Sequence, residues 1–160
     1  MLIVHLRGGL GNQMFQYALY LATSESGKKA SLDLSHFNKK NQSTQYELGN
    51  IFSIHTAALP LWEKVLVKAS WKFLHLLHQV PYKETDRSFG IFDKKVTTLQ
   101  FAYLKGYWQS EKYFEGISKT IRQHFTFPPF SDNKNKQLLE QIVQRNSVSI
   151  HIRRGDYLKN

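Results

Sequence analysis

Two arginines in succession, Arg153 and Arg154, stand between His151 and Asp156 in the run His151-Ile152-Arg153-Arg154-Gly155-Asp156-Tyr157. A guanidinium fork grips phosphate oxygens two at a time, so the pair suits a diphosphate and the charge that grows on it as it leaves. In an alternating strand the two arginines point to opposite faces, so one reaches a ligand while the other pairs with an acid, for which Asp156 is placed. The plainer reading is a salt-bridged surface loop. A second cluster lies at the other end of the chain, in Gly8, Gly9, Gly11, Asn12 and Gln13. Glycines between a strand and a helix let the backbone approach a ligand closely and leave helix N–H groups open to an anion. Here the plainer reading is a tight turn that only folds. The dinucleotide fingerprint would need a third glycine where Met14 stands, although Asp33 is near the spacing of a ribose-binding acid. A dinucleotide-dependent oxidoreductase is therefore carried as an alternative.

The elements around these clusters must place them at the edge of a sheet. Residues 2–6 are a β-rich apolar run ending at Gly8-Gly9, and Asn12 is expected to cap a helix in which Met14, Phe15, Ala18, Leu19 and Ala22 recur at helical spacing. Gly27 stops that helix, and Ala30 to Leu34 reads as a second strand, giving a β-α-β unit with a parallel sheet. Residues 35–53 read as loop with short elements. Pro60 opens a helix whose Trp62, Val65, Leu66, Ala69, Phe73, Leu76 and Leu77 share one face, with Lys64, Lys68, Lys72 and His75 on the other. Such a basic face suits an anionic membrane surface, and the plainer reading is a helix covering the sheet with its lysines in water. Thr97 to Leu104 reads as a strand, Glu111 to Phe125 as a helix, and Pro128-Pro129-Phe130-Ser131-Asp132-Asn133 as a break. A helix from about Lys134 to Arg145 then leads to a strand, Val148 to Ile152, at whose carboxyl end the arginine pair sits, where ligands bind in open α/β sheets.

Composition narrows the chemistry. The 160 residues are 41% hydrophobic and 14% aromatic, enough for a packed core. There is no cysteine, which excludes disulfides, thiolate metal sites and a thiol nucleophile and fits a reducing compartment. Seven histidines include no His-Glu-x-x-His, so no metal is expected. The start lacks the basic region and long apolar run of a signal peptide, and no stretch approaches the ~20 apolar residues that span a bilayer, so a cytoplasmic protein is expected. A net charge of +10 attracts phosphates of nucleic acid, lipid or a nucleotide. The pairs Lys28-Lys29, Lys39-Lys40 and Lys94-Lys95 are scattered, so nucleic acid is not the expected partner, and a basic polyanion-binding module is the second alternative.

Three blocks in order, residues 8–18 (Gly-Gly-Leu-Gly-Asn-Gln-Met-Phe-Gln-Tyr-Ala), 106–114 (Gly-Tyr-Trp-Gln-Ser-Glu-Lys-Tyr-Phe) and 151–157, resemble the bacterial-type α-1,2-fucosyltransferases of glycosyltransferase family 11. The resemblance implies a GT-B-like α/β fold. A Rossmann-like, acceptor-side domain would cover residues 1–132. Residues 133–160 would then be a linking helix and the first strand of a truncated GDP-fucose-binding domain. It implies transfer of L-fucose from GDP-fucose, with inversion and without metal, to the 2-hydroxyl of a galactoside, which could be lipid-linked at a membrane face. His151, Arg153 and Arg154 would bind the donor diphosphate, with Gly8, Gly9, Gly11, Asn12 and Gln13 lining the cleft. Arg153, Arg154 and Asp156 would carry the catalysis. Family members continue well past the last block, so residues 1–160 alone are expected to bind GDP-fucose weakly and not to turn it over. Residues 35–100 hold no motif that names the acceptor.

Overall fold

The first strand, β1 (Leu2–His5), is buried along its whole length, the signature of a central strand in a parallel sheet covered on both faces. The computed structural model describes residues 1–38, 44–52, 54, 56, 82–85 and 90–152. Arg153, Arg154, Gly155, Asp156 and Tyr157, and the helix expected over residues 60–79, lie outside the described residues. After β1 the chain enters α1 (Leu10–Glu25) and returns as β2 (Ala30–Asp33), parallel to β1 with His5 opposite Asp33. Short α2 (Leu48–Phe52) precedes β3 (Tyr82–Lys83), and α3 (Lys94–Thr98) precedes β4 (Ala102–Lys105). The sheet order among the described residues is β2-β1-β4-β3, all pairs parallel.

Alternation along the strands sorts the side chains. Leu2, Val4, Leu6, Leu32, Ala102 and Leu104 point to one face and pack with Tyr17 and Leu19 of α1 in the main apolar cluster. Residues at the intervening positions, His5, Asp33 and Tyr103 among them, face the other way. This is the β-α-β unit read from the sequence, a mixed α/β arrangement consistent with a Rossmann-like fold.

Contacts divide the chain into two compact units, Met1–Phe127 and Pro128–Asn160. In the second, α5 (Asn133–Val143) is capped by Asp132, whose carboxylate accepts from the Asn135 N–H at 2.8 Å. In the first, residues 111–125 are two 3₁₀ turns, Glu111–Tyr113 and Glu115–Ile117, followed by α4 (Ser118–His124), rather than one helix. The run breaks at Phe114 and Ile117, whose φ of −138° and −119° leave the helical region where continuity was expected.

Three other expectations are corrected. The cap of α1 is Gly9, in extended conformation, while Asn12 sits within the first turn and spends its side-chain oxygen on Gln109. Thr97 and Thr98 belong to α3, not to a strand, because Asp93 caps that turn by accepting from the Lys95 N–H and so overrides the β preference of threonine. Val148 to Ile152 forms no strand: Val148, Ile150 and Ile152 are 89%, 82% and 76% exposed, and no neighbour among the described residues supplies a ladder.

Candidate functional site at the carboxyl edge of the sheet

The chain leaves β1 on one side of the sheet through α1 to β2, while β4 lies on the other side of β1. The carboxyl ends of β1 and β4 therefore flank a topological switch point, the position at which open α/β sheets bind ligands. Two of the three sequence blocks sit there. Gly8 and Gly9 follow β1, and Gly106 and Tyr107 follow β4.

The two turns are fastened by buried glutamines. Gln16, fully buried, accepts from the Arg7 N–H at 2.9 Å and donates to the Gly106 carbonyl at 2.8 Å, so one amide holds both turns. Gln13, also fully buried, donates to the carbonyls of Gly8 and Gln45 at 2.9 and 2.8 Å and accepts from the Glu47 N–H at 2.9 Å. Its amide is thereby engaged with the chain's own backbone. Across the gap, Gln109 donates to the Asn12 side-chain oxygen at 2.6 Å. The Arg7 guanidinium donates to the Tyr107 hydroxyl at 2.8 Å and lies 4.5 Å from the centre of its ring. The Tyr107 N–H is held in turn by Glu84 at 2.7 Å.

Glycine is required at two of these positions for different reasons. Gly8 has φ +81°, and a Cβ there would stand 2.6 Å from Asn12 Nδ2 and 3.2 Å from the Tyr107 ring. At Gly106 a Cβ would meet Glu84 Cβ at 2.5 Å. Gly9 and Gly11, by contrast, have nothing within 4 Å of such a carbon and are exposed at the mouth of the turn, beside the open N–H groups of α1. Trp108, 2% exposed, holds a left-handed backbone at φ 55°, and its indole Nε1 finds no hydrogen-bond partner among the described residues. Strain of this kind next to a turn of close backbone approach is a mark of functional edges.

Of the residues singled out from the sequence, Gly8, Gly9, Gly11, Asn12 and Gln13 are brought together here. His151 is exposed in the second unit. Arg153, Arg154 and Asp156 lie outside the described residues. Arg7 and Glu84 were not singled out. A cation directly before a glycine turn is a local signal that could have found Arg7, whereas Glu84 stands in a stretch without any motif. Asp33 ends β2, but Met14 fills the place of the dinucleotide fingerprint's third glycine and packs against the apolar cluster. Among the described residues no group of three or more His, Asp or Glu could hold a metal ion, and no helix is long and apolar enough to cross a membrane.

The chain matches Glycosyl transferase family 11 over residues 1–160. It is 32% identical to an alpha-1,2-colitosyltransferase of Escherichia coli, over 99% of the chain and 56% of that protein. It is 28% identical to galactoside alpha-(1,2)-fucosyltransferase 1 of Oryctolagus cuniculus, over 98% of the chain and 39% of that protein. To the O-antigen biosynthesis glycosyltransferase WbnK of Escherichia coli it is 25% identical, over 97% of the chain and 59% of that protein. The chain thus spans between 39% and 59% of the length of these relatives. No solved structure matches it. With the family matched from the first residue to the last, and two of its three blocks fastened to one another at the sheet edge, the chain belongs to glycosyltransferase family 11.

Proposed function

We propose that this chain supplies the acceptor-side half of an α-1,2-fucosyltransferase of GT-B architecture, which moves L-fucose from GDP-fucose to the 2-hydroxyl of a galactoside. The observation that carries the reading is the meeting of the Gly8 and Gly106 turns at the switch point, in a chain whose relatives are named as α-1,2 transferases of fucose and colitose. In it, Gly9 and Gly11 leave room for the substrate backbone-close at the cleft, Asn12 orients the mouth through Gln109, and Gln13 holds the turn in shape.

The bond from fucose C1 to the β-phosphate oxygen breaks as the bond from the acceptor oxygen to C1 forms on the opposite face, so the anomeric centre inverts. The electron pair of the broken bond stays on GDP, where Arg153, Arg154 and His151 offset the charge without a metal. The acceptor proton passes to a base, for which Asp156 is the candidate in this chain. The recurring Lys64, Lys68 and Lys72 suit a peripheral site on the inner face of a membrane, where a lipid-linked acceptor would be presented, in keeping with a cytoplasmic enzyme.

The test is transfer by residues 1–160 joined to the remaining part of the colitosyltransferase relative, with GDP-fucose and a panel of galactosides, read by mass spectrometry. The expected result is a deoxyhexose added to a galactoside in the presence of EDTA, with turnover reduced about 10²- to 10³-fold by Arg153→Ala or Arg154→Ala. Unchanged turnover in both variants would overturn the assignment of the arginines.

A further inference from the structure

The Gly8 and Gly106 turns stand at the carboxyl ends of β1 and β4. At the opposite end of the same unit, the last turns of α1, the start of β1 and α3 enclose a cavity of about 180 Å³. A space on the order of 150 Å³ admits one six-membered ring. Its mouth is open to solvent, since Ser26 and Thr97 on its lining are exposed and Lys28 between them is half-buried.

The lining is of two kinds. Leu2, Leu19 and Val96 are buried apolar side chains, which offer a ring the contacts it needs. Thr23, Tyr113 and Lys28 are polar. The Thr23 hydroxyl donates to the Leu19 carbonyl at 2.8 Å, and the Tyr113 hydroxyl accepts from the Asp93 N–H at 2.8 Å. Lys28 is the group with a charge to offer. Its Nζ donates to the Thr97 and Leu99 carbonyls at 2.6 and 3.2 Å, which fixes the ammonium at the end of α3 and fills two of its three N–H directions. The third has no acceptor among the described residues.

Charge and shape together select the ligand. No Asp or Glu lines the cavity. The corner is crowded with cations: the Met1 ammonium has its pKa lowered by burial and then by the charges of Lys29 and Lys28. A fixed ammonium with an open N–H favours an anion. The apolar walls disfavour an inorganic one, whose whole surface is hydrated. A carboxylate carried on a ring satisfies both halves of the lining.

We propose that this cavity binds a monocarboxylate whose body is a single ring, the ring lying among Leu2, Leu19 and Val96 and the carboxylate on Lys28 Nζ. The site does not rest on the function proposed above, and the outcome of the transfer assay leaves it untouched.

The test is ¹H–¹⁵N NMR of the 160-residue protein titrated with benzoate, benzyl alcohol and acetate, which present ring and charge, ring alone and charge alone. The expected result is a saturable shift of the Thr23 and Val96 amides with benzoate, and binding of the other two weaker by about tenfold or more. Lys28→Met should weaken benzoate about tenfold and leave benzyl alcohol unchanged, whereas Ala22→Leu, which enlarges a side chain of the lining, should abolish the binding of both. Retained chemical-shift dispersion in these variants shows that they fold. Should Ala22→Leu unfold, the three probes on the wild type and Lys28→Met decide. No saturable shift with benzoate, equal binding of benzoate and either other probe, or unchanged benzoate binding in Lys28→Met overturns the site.

Discussion

The two units of this chain treat the same kinds of residue in opposite ways. In Met1–Phe127, Leu2, Leu6 and Leu104 are 1%, 0% and 0% exposed, and even the amides of Gln13 and Gln16 are buried and satisfied. In Pro128–Asn160, Leu138, Leu139, Ile142 and Val143 of α5 are 51%, 46%, 46% and 75% exposed, although they recur at the spacing of a core-facing stripe. An apolar stripe is thus a statement about a surface that must be supplied. The first unit supplies it from its own sheet, and the described part of the second does not. Stability should therefore reside in the first unit and be most sensitive where its two turns are fastened.

Substitutions can break this contrast, beginning with the largest expected effect. Gly8→Val puts a β-branched residue at positive φ with its Cβ against Asn12 and Tyr107, and should cost about 4 kcal/mol in urea unfolding followed by circular dichroism. Gln16→Leu keeps the volume but strips the Arg7 N–H and the Gly106 carbonyl of their buried partner; about 3 kcal/mol is expected from the same measurement. A loss below 0.5 kcal/mol would show that the glutamine is incidental to joining the turns.

Acid should act on the first unit through His5. Burial lowers its pKa from 6.5 in the unfolded chain to about 4 in the fold. Above pH 6.5 the ring is neutral in both states and contributes nothing. Between 6.5 and 4 only the unfolded state takes up the proton, so stability is lost as pH falls, by roughly 3 kcal/mol in all. Comparison of unfolding at pH 7 and pH 4.5 in the wild type and in His5→Gln should show the steeper decline in the wild type. Equal slopes would mean that the histidine is not buried as described. The smallest effect is reserved for the second unit, where Leu138→Lys or Ile142→Lys should change the unfolding of the first unit by less than about 0.5 kcal/mol.

The sequence made the β-α-β opening legible because its signals are local: a β-rich run, two glycines, a helical period and a second run within the first 34 residues. It also marked the blocks at residues 8–18 and 106–114. What it could not show was their meeting, since Arg7 and Tyr107 are 100 residues apart and no periodicity encodes such a contact. The Asn12 cap was misread for a related reason. Asn12 has the right chemistry and place for capping, but Gln109, brought near by the sheet, claims its oxygen. Thr97 and Thr98 show local chemistry of one kind overruling another, with the Asp93 cap outweighing β-branching. Val148 to Ile152 has strand composition without a partner, and composition alone forms no ladder. The common face of His5, Asp33 and Tyr103 was equally invisible, because only strand register places the three there.

The central proposal is that this chain holds the acceptor side of a sugar-transferring site. Calorimetry on residues 1–160 addresses it most directly, with methyl β-galactoside, GDP and NADH titrated in parallel. The expected result is saturable binding of the galactoside, weak binding of GDP and none of NADH; tight binding of GDP or NADH, with the galactoside silent, would contradict it.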